Sequence, residues 1–266
     1  VFPSHDPEAG LGMEAESMLP PIINQIGVNT QTEVVKEEKR LRVDNQPYGN
    51  FIAEVKKNIF KKHPYRWATI GSMEHLDAAT LEEFQAFNQK FYVPNNAVLV
   101  VAGDFKNDQA KEWIQKYFGP IKKGAAIQRE IFVEEPITQT IRAKFEDTNI
   151  QIPAIVASFS LPSMKTRDAR VLDLISSILT DGKSSRLYKK IVDDKKMALQ
   201  IGAFSNNQED YGSYIIFGLP QAPHTAEDIL AEIDSEVVKL QTELISEKDL
   251  QKLQNKFENQ YVNRNS

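Results

Sequence analysis

The chain has 266 residues, 41% hydrophobic and 26% charged, which suits a globular protein with room for two ordinary domains. A formal net charge of −5 argues against a nucleic-acid partner, which would call for a basic stripe. Having no cysteine, the chain can form no disulfide, thiolate zinc site or cysteine nucleophile, and no apolar run approaches the roughly 18 residues of a membrane span.

In chain order, the first patterned segment is NTQTEVVKEEKRLRV. Thr30-x-x-Glu33 reads as a capping box, opening a helix that runs to about Val43. Phe51, Ile52, Val55, Ile59 and Phe60 share one stripe of a second helix. KKHPYRWATIG is a loop, and Thr80-x-x-Glu83 opens a third helix that Pro94 and Asn95 stop. AVLVVAG, residues 97–103, is a short continuous apolar run and predicts a buried strand. NDQAKEWIQKYFG follows as a helix with Gly at its end.

The pattern breaks over residues 125–136, which predicts a linker between a first domain at 1–124 and a second at 137–266. Beyond it, TQTIRAKFE (138–146) and IPAIVASFSLP read as strands, then TRDARVLDLISSILTDG and KSSRLYKKIVDD as helices. MALQIGAFSNN and YGSYIIFGLP predict an antiparallel pair around a polar loop, and two long helices close the chain. The order lacks strict β-α-β alternation. It predicts an α+β fold of two domains, each a largely antiparallel sheet covered by helices on one face.

Glu38 is the odd residue of the first helix. Helical spacing sets it beside Val34, Val35, Leu41 and Arg42, on the apolar stripe. An unpaired buried carboxylate is costly, so it calls for a metal, a cation or a change of protonation. The alternative is an acid at the edge of the stripe, paired with Arg42. Glu33 and Glu37 read as a cap and as part of a solvated face.

The stretches VVKEEKR, HPY…IG and LEEFQAFNQKFYVPNNAVLVVAGD, followed by SFSLP, LDLISSILTDGKSSRLYKKI and YIIFGLP, resemble the pitrilysin/insulinase family of zinc metallopeptidases, including its two-domain processing peptidases. The resemblance covers nearly the whole chain. It implies a zinc endopeptidase acting on peptides or unfolded polypeptides. Zn²⁺ would be held by an inverted H-x-x-E-H motif and a downstream Glu, with the motif Glu as general base. In the matching block the downstream ligand falls on Glu38. Seven residues earlier, where some branches carry an acid, this chain has Gln31.

The H-x-x-E-H motif itself is absent: His5, His63, His75 and His224 stand in no such pattern. The chain therefore reads as an internal piece of a longer protein, with the motif and its general base expected upstream of Val1, and as inactive alone. A family subunit that holds peptide or assembles with an active partner is the alternative. Gly182-Lys183-Ser184-Ser185 resembles the end of a phosphate loop, but Ser177 stands where that loop needs Gly. Ser184 and Ser185 are expected to begin a helix, His63 to be a loop hydrogen-bonder and His75 to lie just ahead of a helix. The expected partners are substrate and a second subunit, the same chain or a family relative. The expected location is the bacterial periplasm or cell envelope.

Overall fold

The computed structural model describes residues 2, 3 and 5–265. In chain order its helices are α1 (Pro7–Glu16), α2 (Gln25–Lys39), α3 (Phe51–Ile59), α4 (Met73–Ala78), α5 (Leu81–Phe91), α6 (Asn107–Tyr117), α7 (Arg167–Thr180), α8 (Ala226–Thr242) and α9 (Glu247–Asn265). Its strands are β1 (Ile155–Pro162), β2 (Ala198–Asn207) and β3 (Tyr211–Pro220). Two stretches are π-helical, Arg40–Asp44 and Tyr188–Asp194. Packing divides the chain into two units. One comprises the chain up to Asp44 together with Ala68–Phe132; the other comprises Asn45–Trp67 and the chain from Val133 onward. The second change of unit falls inside the expected 125–136 linker, but residues 45–67 pack with the C-terminal half rather than with the rest of 1–124.

The first unit is helical among the described residues. Asp6 caps α1, which packs on α6, and Glu8 of α1 receives Lys116 Nζ at 2.7 Å and the Tyr117 hydroxyl at 3.0 Å. Helix α2 starts at Gln25, earlier than the Thr30 pattern predicts. The side chain of Asn24 accepts the Gly27 amide at 2.9 Å and supplies the real cap. Thr30 sits inside the helix, its hydroxyl donating to the Ile26 carbonyl. The second capping box holds as read: Thr80 and Glu83 satisfy each other's backbone amides at the start of α5. Lys36 of α2 reaches Asp77 of α4 at 2.7 Å, tying those helices together.

Residues 97–103 do not form the expected buried strand. They join no ladder among the described residues, and Val98 and Val100 are 90% and 79% exposed. The apolar run signals a segment suited to burial, but a strand also needs a neighbour for its N–H and C=O groups, which a local pattern cannot supply. Residues 138–146 fail as a strand in the same way, with Ile141 and Phe145 exposed.

The second unit holds the sheet, antiparallel in the order β1-β3-β2. Its register sets Ala157 and Ala203 beside Ile216, and Phe159 and Ser205 beside Tyr214. One face of β3, carrying Tyr214 and Ile216, meets Leu179 of α7 and Ile229 and Ile233 of α8 in a core where these aliphatic side chains are fully buried. The other face is covered too: Phe217 meets Phe51 of α3 edge-on, ring centroids 6.2 Å apart. A central strand buried on both sides reads as consecutive apolar residues, as YIIF at 214–217 does. The α+β class stands; the sheet lies in the second unit and has helices on both faces rather than one.

Candidate functional site

The candidate ligand sits where α2 changes character. The helix is regular to Lys39; Arg40–Asp44 then widens into a π turn. Such turns are rare, and they recur at functional sites. Glu38 lies in the last regular turn. Its side chain is 40% exposed and accepts from Arg42 Nη1 at 2.9 Å, one turn on. Val34 and Leu41, its neighbours by helical spacing, are exposed rather than buried. The stripe is therefore apolar without being covered in this structure, and the carboxylate meets its need for a counter-charge through Arg42. Glu37, adjacent in sequence, pairs instead with Arg40 at 3.1 Å.

Glu38 has the chemistry of one zinc ligand: an anionic oxygen donor on a rigid element, half open to its surroundings. Among the described residues no group of three His, Cys, Asp or Glu side chains comes together to hold a metal ion. Glu38 thus fits as a single donor, and the remaining donors of a site would have to come from elsewhere.

The histidines lie apart from it. His63 is buried in the second unit, where Nδ1 accepts the Tyr65 amide at 3.2 Å and Nε2 faces Asp210 Oδ2 at 3.3 Å. It is the loop hydrogen-bonder expected. Beside it, Glu134 accepts the amides of Lys61, Lys62 and His63. Burial pushes the Glu134 carboxyl up, but these N–H groups outweigh it and hold the pKa below the usual glutamate range. His75 lies within α4, its amide donating to the Ser72 cap, rather than ahead of a helix. His5 lines an open cleft of about 420 Å³ with Asp6, Asp104, Lys106 and Trp113. Ser185 donates to the Gly182 carbonyl and Ser184 accepts from Lys252, both ordinary structural roles.

An ion pair just beyond Glu38 is not announced by the local pattern. Lys39 Nζ reaches Asp44 Oδ1 at 2.6 Å across the π turn. The available signal was an i, i+5 charge pair, which means nothing in a regular helix and aligns only in a wider one.

The family model described as "Peptidase M16 inactive domain" matches residues 78–257, more than half of the chain. The chain belongs to the peptidase M16 family. A curated relative, the zinc protease PqqE of Helicobacter pylori, is 31% identical over 230 residues, covering 84% of this chain and 51% of its own length. The chain thus spans about half of that relative. A crystal structure of a protease from Helicobacter pylori superposes with a TM-score of 0.88 at 26% identity, over 96% of this chain and 62% of that one. The periplasmic protease PqqL from Escherichia coli shares the fold, with a TM-score of 0.74 at 15% identity over 95% of this chain and 28% of PqqL. No described helix is long and apolar enough to cross a membrane.

Proposed function

We propose that this chain contributes Glu38 as one ligand to the zinc centre of an M16 endopeptidase that cleaves peptides or unfolded polypeptides, and that it is inactive by itself. The carrying observation is Glu38: a half-exposed carboxylate on an uncovered apolar stripe, at the junction of α2 and the π turn, held by Arg42. The matching relative's name, zinc protease, supports the reading. When bound, zinc supplies Lewis-acid chemistry and lowers the pKa of water towards about 7. This chain's part is to present one anionic oxygen from a helix whose last turn is tied by Lys36 to Asp77. On this reading the H-x-x-E-H motif and its general base would come from a companion segment outside this chain. That segment would also cover Val34, Leu41 and the apolar run Val98–Val100.

A second reading keeps the fold without the chemistry: a family subunit that binds peptide or joins an active partner, either its own copy or a relative. It is favoured by the matched model's description as an inactive domain. For location we propose the bacterial periplasm or cell envelope, in line with the description of PqqL and with a cysteine-free composition.

The deciding experiment compares Glu38→Gln with Glu37→Gln in the full-length polypeptide, reading zinc content by metal analysis and cleavage of an unfolded polypeptide. Glu38→Gln removes the charge and keeps the shape, so zinc and cleavage should fall together, while Glu37→Gln changes little. Full zinc content and activity in Glu38→Gln would overturn the assignment. Zinc lost without any cleavage in the parent protein would favour the subunit reading.

A further inference from the structure

We infer that Glu134 is a strap: its carboxylate buckles the segment entering the second unit onto the loop after α3, so that these two stretches open and close together. The second unit is discontinuous, built from Asn45–Trp67 and from the chain beyond Val133. Helix α3 ends at Ile59, and Phe60 turns into extended backbone. The next three amides, those of Lys61, Lys62 and His63, converge on one side chain that stands 73 positions after Lys61. Lys61 donates to Glu134 Oε1 and His63 to Oε2 at 3.1 Å, while the Lys62 amide lies between the two oxygens at 2.8 and 2.9 Å. Successive backbone N–H groups that point inward in this way form a cradle for an anion. Bonds to an ionised acceptor are also stronger than those between neutral groups.

The strap is needed because its own segment has no ladder. Residues 122–146 form no helix or strand, and Val133, next to the strap, is 67% exposed. Side chains hold this stretch instead. The Glu134 amide donates to the Tyr211 hydroxyl at 3.1 Å, and the Lys62 ammonium meets Glu135. The loop that receives the carboxylate is itself fixed to the sheet hairpin. His63 Nε2 faces Asp210 Oδ2 at 3.3 Å, the Asp210 amide donates to the Tyr65 hydroxyl at 3.4 Å, and buried Phe60 meets Tyr65 edge-on. Glu134 therefore fastens an exposed, ladderless segment to an anchored loop by both carboxylate oxygens at once.

The test uses the full-length polypeptide, followed by hydrogen exchange at neutral pH and by limited trypsin cleavage. Glu134→Gln keeps the shape but leaves one acceptor oxygen and turns an NH₂ group toward the amide donors. Exchange at Lys61, Lys62 and His63 should quicken by about tenfold, as expected when bonds to an ionised acceptor are lost. Trypsin should then cut after Lys61 or Lys62 faster than in the parent protein, while the β3 amides of Ile215 and Ile216 exchange as before. Glu135→Gln, which removes only the Lys62 ion pair, should change neither reading. Tyr211→Phe loosens the strap from its other side, and should quicken exchange at Glu134 and at the three cradle amides together. Unchanged exchange at the cradle in Glu134→Gln overturns the strap. Equal quickening in Glu135→Gln overturns it by assigning the effect to surface charge, and equal quickening at Ile215 and Ile216 does so by making the role global. If Glu134→Gln does not fold, Tyr211→Phe decides: exchange that quickens at Glu134 but not at the cradle shows that the two stretches open separately.

Discussion

The ring of Phe51 meets the ring of Phe217 edge-on at 6.2 Å, and Phe204 lies against Phe217 at 6.5 Å from the next strand. This contact ties α3 to the sheet across nearly the whole second half of the chain. A double-mutant cycle measures it. Phe51→Ala and Phe217→Ala should each destabilise by about 2–4 kcal/mol, with a coupling of about 0.5–1.5 kcal/mol between them. Chemical denaturation gives both values, and zero coupling would mean that the rings do not meet.

The Glu236 carboxylate is almost fully buried in α8 and receives Lys190 Nζ at 2.9 Å and Lys239 Nζ at 2.8 Å. Burial pushes its pKa up, but the two ammonium groups outweigh it and the pKa lies below the usual range; Glu232, which shares Lys190, is depressed for the same reasons. A depressed carboxylate stabilises the fold above its unfolded pKa, about 4.3, and that contribution is lost as pH falls through the folded value. Stability followed by circular dichroism should therefore hold steady from neutral pH down to about 4.5 and fall below it. Glu236→Gln should cost about 1–3 kcal/mol at pH 7 and make the acid limb shallower. An acid limb as steep as in the unchanged protein would show that this group does not drive it.

The two Thr-x-x-Glu patterns should behave differently on mutation. Thr80→Ala removes a working cap and should cost about 1 kcal/mol. Thr30→Ala acts inside α2, where Ala is the better helix former, so it should be neutral or stabilising by up to about 0.5 kcal/mol. Thermal melts of both variants decide it, and equal losses would restore Thr30 as a cap.

The 266-residue chain alone should take up no stoichiometric zinc, because Glu38 is a single carboxylate with no companion donors among the described residues. Its melting temperature should be the same with and without a chelator. A chelator-sensitive midpoint would reveal a complete site within this chain.

The sequence determined several elements whose signal is local, though α1 and α4, capped by Asp6 and Ser72, carry no periodic pattern that announces them. Thr80 and Glu83 mark one helix start as read, and two strand-like runs joined by a polar loop, β2 and β3, predict the antiparallel pair that forms. Glu38 was legible as an acid on an apolar stripe, and its pairing with Arg42 follows from i, i+4 spacing alone. The tertiary structure decided what depends on a distant partner. Asn24 rather than Thr30 starts α2, since both residues offer a capping oxygen and only the surrounding chain selects between them. Residues 97–103 and 138–146 carry strand-like composition but stay outside the sheet, because a ladder needs a second strand and composition records only one. Residues 45–67 join the second unit through Phe51 and Phe217, more than a hundred positions apart, a pairing that no local pattern encodes. The widening of the helix after Lys39 is of the same kind: a regular and a π turn share one sequence pattern, and Lys39 meets Asp44 across the wide one.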